Sequence, residues 1–131
     1  AITRIHDLSL ESDVNFLGRV TASQLKSLYQ NALAFVFPSL IEGFGLPGLE
    51  AMSLGTPVIA ARASCLPEVY GQAALYFNPH DSCQLADQII HVQKDKSLRD
   101  KLISLGLKQA KKYSWVKMSR LTWAIYQNAL R

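Results

Sequence analysis

Short apolar runs separated by helical repeats dominate the first half of this chain. The runs 33–38 (LAFVFP) and 57–61 (PVIAA) are apolar almost throughout, which is typical of strands that are buried on both faces. Two weaker strand candidates are 14–18 (VNFLG), ended by Gly18, and 73–79 (AALYFNP), ended by a proline. The pattern therefore predicts four strands.

Between and after these strands, apolar residues recur every three or four positions, which is the spacing of one helix face. Residues that are typical of helix starts accompany this spacing. Thr21 or Ser23 suits one N-cap, Pro47 suits the first turn of a second helix, and Ser82 suits another N-cap. The tail of a helix is predicted in 2–12, and whole helices are predicted in 21–32, 46–55, 64–71, 82–95, 97–113 and 114–130. The last three form a helical C-terminal tail.

Alternating strands and helices predict an α/β fold with a parallel sheet, because crossover helices must cover both faces of such strands. A length of 131 residues suits a single domain. In an open parallel sheet, ligands bind beyond the carboxyl ends of the strands. The loop after 33–38 lies at such an end, so we expect a site there.

Composition and charge narrow the class of protein. Hydrophobic residues make up 49% of the chain and charged residues 18%, which is a globular balance. The formal net charge of +4 is too small for a dedicated nucleic-acid binder. Cys65 and Cys83 have no zinc-binding spacing, and two reduced thiols are expected. No apolar run has the length of a membrane span, and we expect a cytoplasmic protein.

The candidate chemistry is concentrated in the stretch 38–52 (PSLIEGFGLPGLEAM). Gly43 and Gly45 are expected to take positive φ and to expose successive N–H groups. The helix that begins near Pro47 adds its unpaired amides and the positive end of its dipole, so the turn suits a phosphate. On these residues alone, an anion site and an ordinary structural turn remain equally open.

Two glutamates flank this turn. Glu42 lies in the loop and Glu50 in the first turns of the helix, so both are expected to face one pocket. A carboxylate beside an anion site is favourable only if it accepts hydrogen bonds from hydroxyls of the same ligand, such as a ribose or a sugar. The alternatives are a solvated Glu42, and a Glu50 that interacts only with the helix dipole. A glycosidase pair is disfavoured, because the dipole favours an ionised Glu50 over an acid.

A family resemblance rests on this spacing of two glutamates with "GFGLP" between them and "GTPVIA" after them. The stretch 38–60 resembles the donor-site signature of the retaining glycosyltransferases of family four, also called glycosyl transferases group one, which have the GT-B fold. The segments 14–32 and 113–130 resemble the strand and helix before that signature and the closing helix of the family. The resemblance implies a Rossmann-like sheet that forms part of a GT-B donor domain.

The resemblance also implies roles for particular residues. Glu42 is the catalytic-site residue that contacts the transferred sugar, and Glu50 binds the ribose hydroxyls. The diphosphate and sugar are held by Gly43 together with the amides of Phe44, Gly45 and Leu46, and the base lies near Gly18, Arg19 and Val20. Transfer of a hexose-type sugar with retention uses no enzyme nucleophile; the departing diphosphate is stabilised while the acceptor attacks from the same face.

The chain departs from the family pattern in two ways. Ser64, Cys65 and Leu66 stand where a glycine pair usually precedes "PE", so the backbone there is expected to approach the donor less closely. The first strand-helix units of the donor domain and the whole acceptor-binding domain are not in residues 1–131. We therefore expect a partial donor domain that is inactive alone and whose exposed sheet edges drive self-association or partial disorder.

The resemblance implies a UDP-, GDP- or ADP-sugar donor, no metal, and a glycan or lipid-linked acceptor bound by the missing domain. His6, His80 and His91 have no ligand spacing. The lysines of "KQAKKY" (108–113) are interpreted as a solvated face, with contact to the cytoplasmic face of a membrane as the alternative. A small α/β nucleotide-binding or interaction module without catalysis and a nucleotide-sugar epimerase fragment remain alternative functions. The aromatic residues of 114–130 are interpreted as packing residues.

Overall fold

The computed structural model of the chain describes residues 2–130, so Ala1 and Arg131 lie outside the described residues. The strands are β1 (Phe35–Phe37), β2 (Val58–Ala61) and β3 (Ala74–Phe77). The helices are α1 (Ile2–Asp7), α2 (Ala22–Asn31), α3 (Leu46–Ser53), α4 (Leu66–Tyr70), α5 (Ser82–Lys94), α6 (Lys96–Ala110) and α7 (Trp115–Ala129). A 3₁₀ turn, Gly71–Ala73, lies between α4 and β3. The predicted α/β class and the helical tail are confirmed.

The three strands form one parallel sheet in the order β1-β2-β3. Phe35 pairs with Val58, and Val58 pairs with Ala74, so the strands are in register at their first residues. β2 is central and buried along its whole length, as predicted for a strand covered on both faces. β1 is only half-buried, because it is an edge strand with a paired neighbour on one side. The prediction of a strand buried on both faces is therefore wrong for 33–38.

The core lies on both faces of β2. Val58 and Ala60 pack on one face in a cluster that includes Met52, Leu66 and Tyr70 from α3 and α4. On the other face, the cluster consists of Ile59, Ala61, Phe77, Val92 and Leu102. Since successive strand residues point to opposite faces, the four buried residues of β2 supply both clusters. The sheet is therefore packed between helices on both faces, and the loops that follow β1 and β2 leave it at its carboxyl edge.

The predicted strand 14–18 does not form. Val14, Phe16 and Leu17 are exposed, and the segment is irregular rather than paired. A strand requires a neighbour to accept and donate its backbone hydrogen bonds. Within residues 2–130, the segment pairs with neither β1 nor β3, the two outer strands of the sheet, so its apolar pattern is not sufficient to form a strand.

The helix ends largely follow the predicted signals. The Thr21 hydroxyl accepts from the amide of Gln24, and the Gln24 side chain accepts from the amide of Thr21, so α2 begins with a capping box. The expected cap Ser82 is instead the first residue of α5, and the cap is Asp81, whose carboxylate accepts from the amide of Gln84 at 2.9 Å. Asp81 takes this position because its backbone is extended, as an N-cap requires.

The aromatic residues of α7 do not pack within the described chain. Trp115 is 70% exposed, Trp123 63% and Tyr126 59%, and none of the residues of α7 is buried. Their interpretation as packing residues is therefore wrong for residues 2–130. The expected self-association through sheet edges stays a prediction.

Candidate functional site

Two loops meet at the carboxyl edge of the sheet. The loop 38–45 follows β1 and leads into α3, and the loop 62–65 follows β2 and leads into α4. Because β1 and β2 are adjacent and parallel, these loops leave the sheet side by side. The first loop contains the predicted sugar and diphosphate residues except Leu46, which is the first residue of α3. The second contains the predicted departure from the family pattern.

The turn into α3 is fixed by Gly45. Its φ of 84° and ψ of 40° lie in the left-handed region, which is favourable for glycine, and it caps α3 without a side-chain hydrogen bond. The hydroxyl of Tyr70 donates to the carbonyl oxygen of Gly45 over 2.6 Å, and the amide of Gly48 donates to the same oxygen over 3.2 Å. The phenol ring packs directly on Gly48, where an added Cβ would overlap it. Burial raises the pKa of Tyr70 well above its ordinary value, so this donor stays protonated.

The backbone of Glu42 is held by the neighbouring loop. The Ser64 hydroxyl donates to the Glu42 carbonyl oxygen at 2.9 Å and accepts from the Glu42 amide at 3.4 Å. The Cys65 thiol donates to the same carbonyl oxygen at 3.2 Å. Ser64 has a φ of 51°, the left-handed conformation in which the usual glycine of the family pattern would be favourable. The side chain that replaces glycine therefore binds the loop that contains Glu42.

A third contact supports the loop from the side of the helical tail. The ring of Phe44 meets the ring of Tyr113 edge to face, with centroids 5.2 Å apart. Tyr113 is held in turn, since its hydroxyl donates to the Val69 carbonyl oxygen at 3.2 Å and Gln109 donates to that oxygen at 2.6 Å. The stretch 42–45 is thus held at its start, middle and end.

Glu50 is exposed on α3 and lies between two grooves. One, of about 810 Å³, is lined by Phe44, Leu49, Tyr113 and the start of α7. The other, of about 280 Å³, lies between α2 and α3 and includes Lys26 and Tyr29. Burial, and then the negative charge of Glu50, raise the pKa of Tyr29. Glu50 is the fifth residue of α3, beyond the first turn, so the predicted interaction with the helix dipole is weak there.

The structure separates several residues that the sequence placed together. Glu50 lines both of these grooves, whereas Glu42 lines neither. Gly43 does not have a positive φ, so that expectation is wrong; a side chain there would meet no atom within 4 Å. The turn Gly18–Val20 precedes α2, with Gly18 at a φ of 62°, and none of the hydrogen bonds among residues 2–130 joins it to the loop 38–45.

Four consecutive amides at the site have no hydrogen-bond partner in the described chain. The N–H groups of Gly43, Phe44, Gly45 and Leu46 donate to no acceptor within residues 2–130. They run from the loop into the N-terminus of α3, where unpaired amides and the helix dipole together favour an anion. The arrangement can therefore bind a phosphate through the backbone without a lysine or arginine.

Sequence reasoning missed the residues that support this site. Tyr70 and Tyr113 lie in apolar helical patterns that predict only packing, and the expectation for Ser64 was only that the backbone there approaches the donor less closely. Arg62 was also missed; its guanidinium stacks 5.0 Å from the ring centre of Tyr76 at the end of β3. The one available signal was the polar pair Ser64 and Cys65 in a position that usually needs glycine.

The part of the chain that the structure describes contains no group of three or more His, Cys, Asp or Glu side chains able to hold a metal ion. None of its helices is both long and apolar enough to cross a membrane. Cys65 and Cys83 are both free thiols.

Two solved structures have the same fold. Sucrose-phosphate synthase from Thermosynechococcus elongatus matches 98% of this chain and 33% of its own with a TM-score of 0.89 and 26% identity. Anabaena Alr3699/HepE, solved in complex with UDP, matches 97% of this chain and 35% of its own with a TM-score of 0.86 and 26% identity. These neighbours are GT-B glycosyltransferases, and the predicted Rossmann-like GT-B fold class is confirmed.

Sequence relatives point to the same class. O-antigen chain mannosyltransferase B of Escherichia coli is 41% identical over 117 residues, which are 89% of this chain and 31% of that protein. The chain thus spans about a third of the length of this relative. The family model described as glycosyl transferases group 1 matches residues 1–109. This chain belongs to the glycosyl transferases group 1 family, a family of enzymes.

Proposed function

We propose that this chain is the donor-binding part of a retaining glycosyltransferase that transfers a hexose-type sugar to a glycan or lipid-linked acceptor. The observation that carries the proposal is the run of four unpaired amides at residues 43–46, at the start of α3 and between two glutamates. The amides suit a diphosphate, and the glutamates suit the hydroxyl groups on either side of it. A nucleotide sugar has these three parts in this order.

The ribose end of the donor is assigned to Glu50. Its exposed carboxylate lies between the two grooves, one of which reaches α2 and Tyr29. A carboxylate accepts hydrogen bonds from paired hydroxyls, and these bonds are among the stronger ones because the acceptor is charged. The turn Gly18–Val20, which leads into α2, is the candidate for contact with the base. The UDP complex of the Anabaena neighbour supports a nucleotide of this kind.

The sugar end of the donor is assigned to Glu42. It is half-buried next to the unpaired amides, and the glycine at residue 43 leaves the adjacent backbone open to close approach. During transfer, charge develops on the departing diphosphate, and the fixed amides of residues 43–46 would stabilise that charge. The mannosyltransferase of Escherichia coli supports a hexose as the transferred group. The acceptor would bind to a part of the protein outside these 131 residues.

Calorimetric titration of the chain with UDP, GDP and ADP tests this proposal. Circular dichroism first establishes that the sample is folded. We expect at least one of the three to bind with a Kd near or below about 1 mM, which corresponds to about 4 kcal/mol. Inorganic phosphate alone should bind more weakly, because it lacks the ribose hydroxyls from which Glu50 would accept hydrogen bonds. Heat from none of the three nucleotides would contradict a donor site and favour a module without nucleotide binding.

A further inference from the structure

The loop between β2 and α4 holds the backbone of Glu42 and of no other residue of the loop 38–45. Ser64 and Cys65 both donate to the Glu42 carbonyl oxygen, at 2.9 and 3.2 Å, and the Ser64 oxygen also accepts from the Glu42 amide at 3.4 Å. Among the hydrogen bonds of residues 2–130, these are the only ones that reach Glu42. The position of the Glu42 backbone therefore depends on the loop after the neighbouring strand.

The backbone of Ser64 is arranged for this contact at a conformational cost. Its φ of 51° is unfavourable for a residue that has a Cβ. Glycine would adopt this conformation without strain, yet it would supply no hydroxyl. The hydrogen bonds to Glu42 are the compensation for that strain.

The residues around Glu42 have little other support. Ile41 is 85% exposed, and the next residue that packs on the body of the domain is Phe44, through Tyr113. Without the contacts from Ser64 and Cys65, the peptide group after Glu42 would have no hydrogen bond, and the peptide group before it would keep only the bond from the Ser39 hydroxyl to the Ile41 carbonyl oxygen, at 3.2 Å. The direction of the Glu42 side chain is set by these peptide groups.

We propose that Ser64 is a positioning residue, which holds the Glu42 carboxylate toward the sugar of a bound nucleotide-sugar donor. The inference rests on the proposed donor-binding function. Ser64 acts through the main chain of Glu42 and does not itself contact the sugar. Cys65 gives weaker support to the same carbonyl oxygen, because a thiol is a poor hydrogen-bond donor.

A double-mutant cycle with the variants Ser64→Gly and Glu42→Ala separates positioning from general stability. The measured quantity is the ratio of two affinities: that of UDP-glucose, GDP-mannose or ADP-glucose, and that of the matching nucleoside diphosphate. Ser64→Gly removes the hydroxyl and tolerates the positive φ, so the chain should stay folded. Ser9→Gly is the matched control, since Ser9 also has a positive φ, of 53°, in an exposed turn after α1.

If Ser64 positions Glu42, Ser64→Gly lowers this ratio by about two- to twelvefold, the effect of one hydrogen bond, and leaves the affinity for the diphosphate unchanged. Glu42→Ala lowers the ratio at least as much. The double variant should be no worse than Glu42→Ala alone, because Ser64 has nothing to position once the carboxylate is gone. Ser9→Gly should leave both affinities unchanged.

The possible failures are distinct. An unchanged ratio in Ser64→Gly, with a lowered ratio in Glu42→Ala, overturns the positioning role and leaves the donor site intact. Equal losses of sugar-nucleotide and diphosphate affinity in Ser64→Gly also overturn it, because they indicate a loop that is merely destabilised. Effects of the two substitutions that simply add would show that Ser64 acts independently of Glu42. Absence of binding by every probe overturns the donor site itself, and the positioning role with it.

Discussion

The hydroxyl of Tyr70 donates a 2.6 Å hydrogen bond to the carbonyl oxygen of Gly45, and both residues are buried. The bond joins the end of α4 to the residue that caps α3. It therefore fixes the left-handed turn at which the run of unpaired amides, residues 43–46, passes from the loop into α3. The candidate site depends on a tyrosine that contributes no atom to its surface.

Replacement Tyr70→Phe should destabilise the chain. The substitution keeps the ring and leaves the Gly45 carbonyl oxygen with only the longer bond from Gly48. We expect the free energy of unfolding to fall by about 1–3 kcal/mol, the cost of an under-satisfied buried polar group. Urea denaturation measures this change. Tyr113→Phe is the matched control and should cost less, because its acceptor, the Val69 carbonyl oxygen, keeps the bond from Gln109.

Two glycines of the loop and helix should respond differently to alanine. At Gly48 a Cβ would overlap the phenol of Tyr70, so Gly48→Ala should lower the free energy of unfolding by about 1–3 kcal/mol. At Gly43 a Cβ meets no atom within 4 Å and φ is not positive, so Gly43→Ala should leave stability nearly unchanged. It should nevertheless weaken the binding of nucleoside diphosphates by obstructing the adjacent amides. Equal stability of the two variants in urea would contradict the packing of Tyr70 on Gly48.

The stability of the chain should fall at high pH. Burial raises the pKa of Tyr76 to about 12, against the opposing effect of Arg62, while the ordinary value is 10.0. The unfolded chain therefore loses this proton first, so the stability is fully present below about pH 10 and is lost as the pH rises toward about 12. Burial also raises the pKa of Tyr70, so this residue likewise makes the stability fall at high pH. Urea midpoints measured across this range should fall, and they should fall less steeply in Tyr76→Phe.

Most of the fold could be predicted from local pattern. The central strand β2 is apolar at every position, and Pro47 and the N-cap candidate Thr21 mark the starts of α3 and α2 correctly. The strand predicted at 14–18 failed because strand formation depends on pairing, and this segment pairs with neither outer strand of the sheet. The burial expected of α7 failed for the same kind of reason. Local sequence reveals an apolar face, but not whether another element covers it.

The candidate site could be predicted only in part. The position of the loop and the flanking glutamates followed from the strand order and the family pattern. The supporting contacts from Tyr70 and Ser64 could not be predicted, because they join residues 25 and 22 positions apart in the sequence through side chains that have ordinary roles elsewhere. The departure at Ser64 was visible, but its consequence required the conformation of the neighbouring loop.

The proposed roles of the two glutamates predict that their substitution weakens the binding of different ligands. Substitution of Glu42 should lower the affinity only for ligands that carry the transferred sugar. Substitution of Glu50 should lower the affinity only for ligands that carry free ribose hydroxyls. The test of Glu50 compares nucleoside diphosphates with their 2′,3′-dideoxy forms, which differ only in those hydroxyls. Asp87→Ala, which removes an exposed carboxylate from α5, is the control for a general change in charge.

The most direct test of the donor site is calorimetric titration of the parent chain and of Glu50→Ala with both forms of the nucleotide that binds. We predict that the affinity of the parent chain for the ribose form is higher than that for the dideoxy form by a factor of about ten or more, as expected for hydrogen bonds to a charged group. In Glu50→Ala this preference should disappear, whereas in Asp87→Ala it should remain. A preference that persists in Glu50→Ala, or that is absent from the parent chain, would contradict the assignment of Glu50 to the ribose.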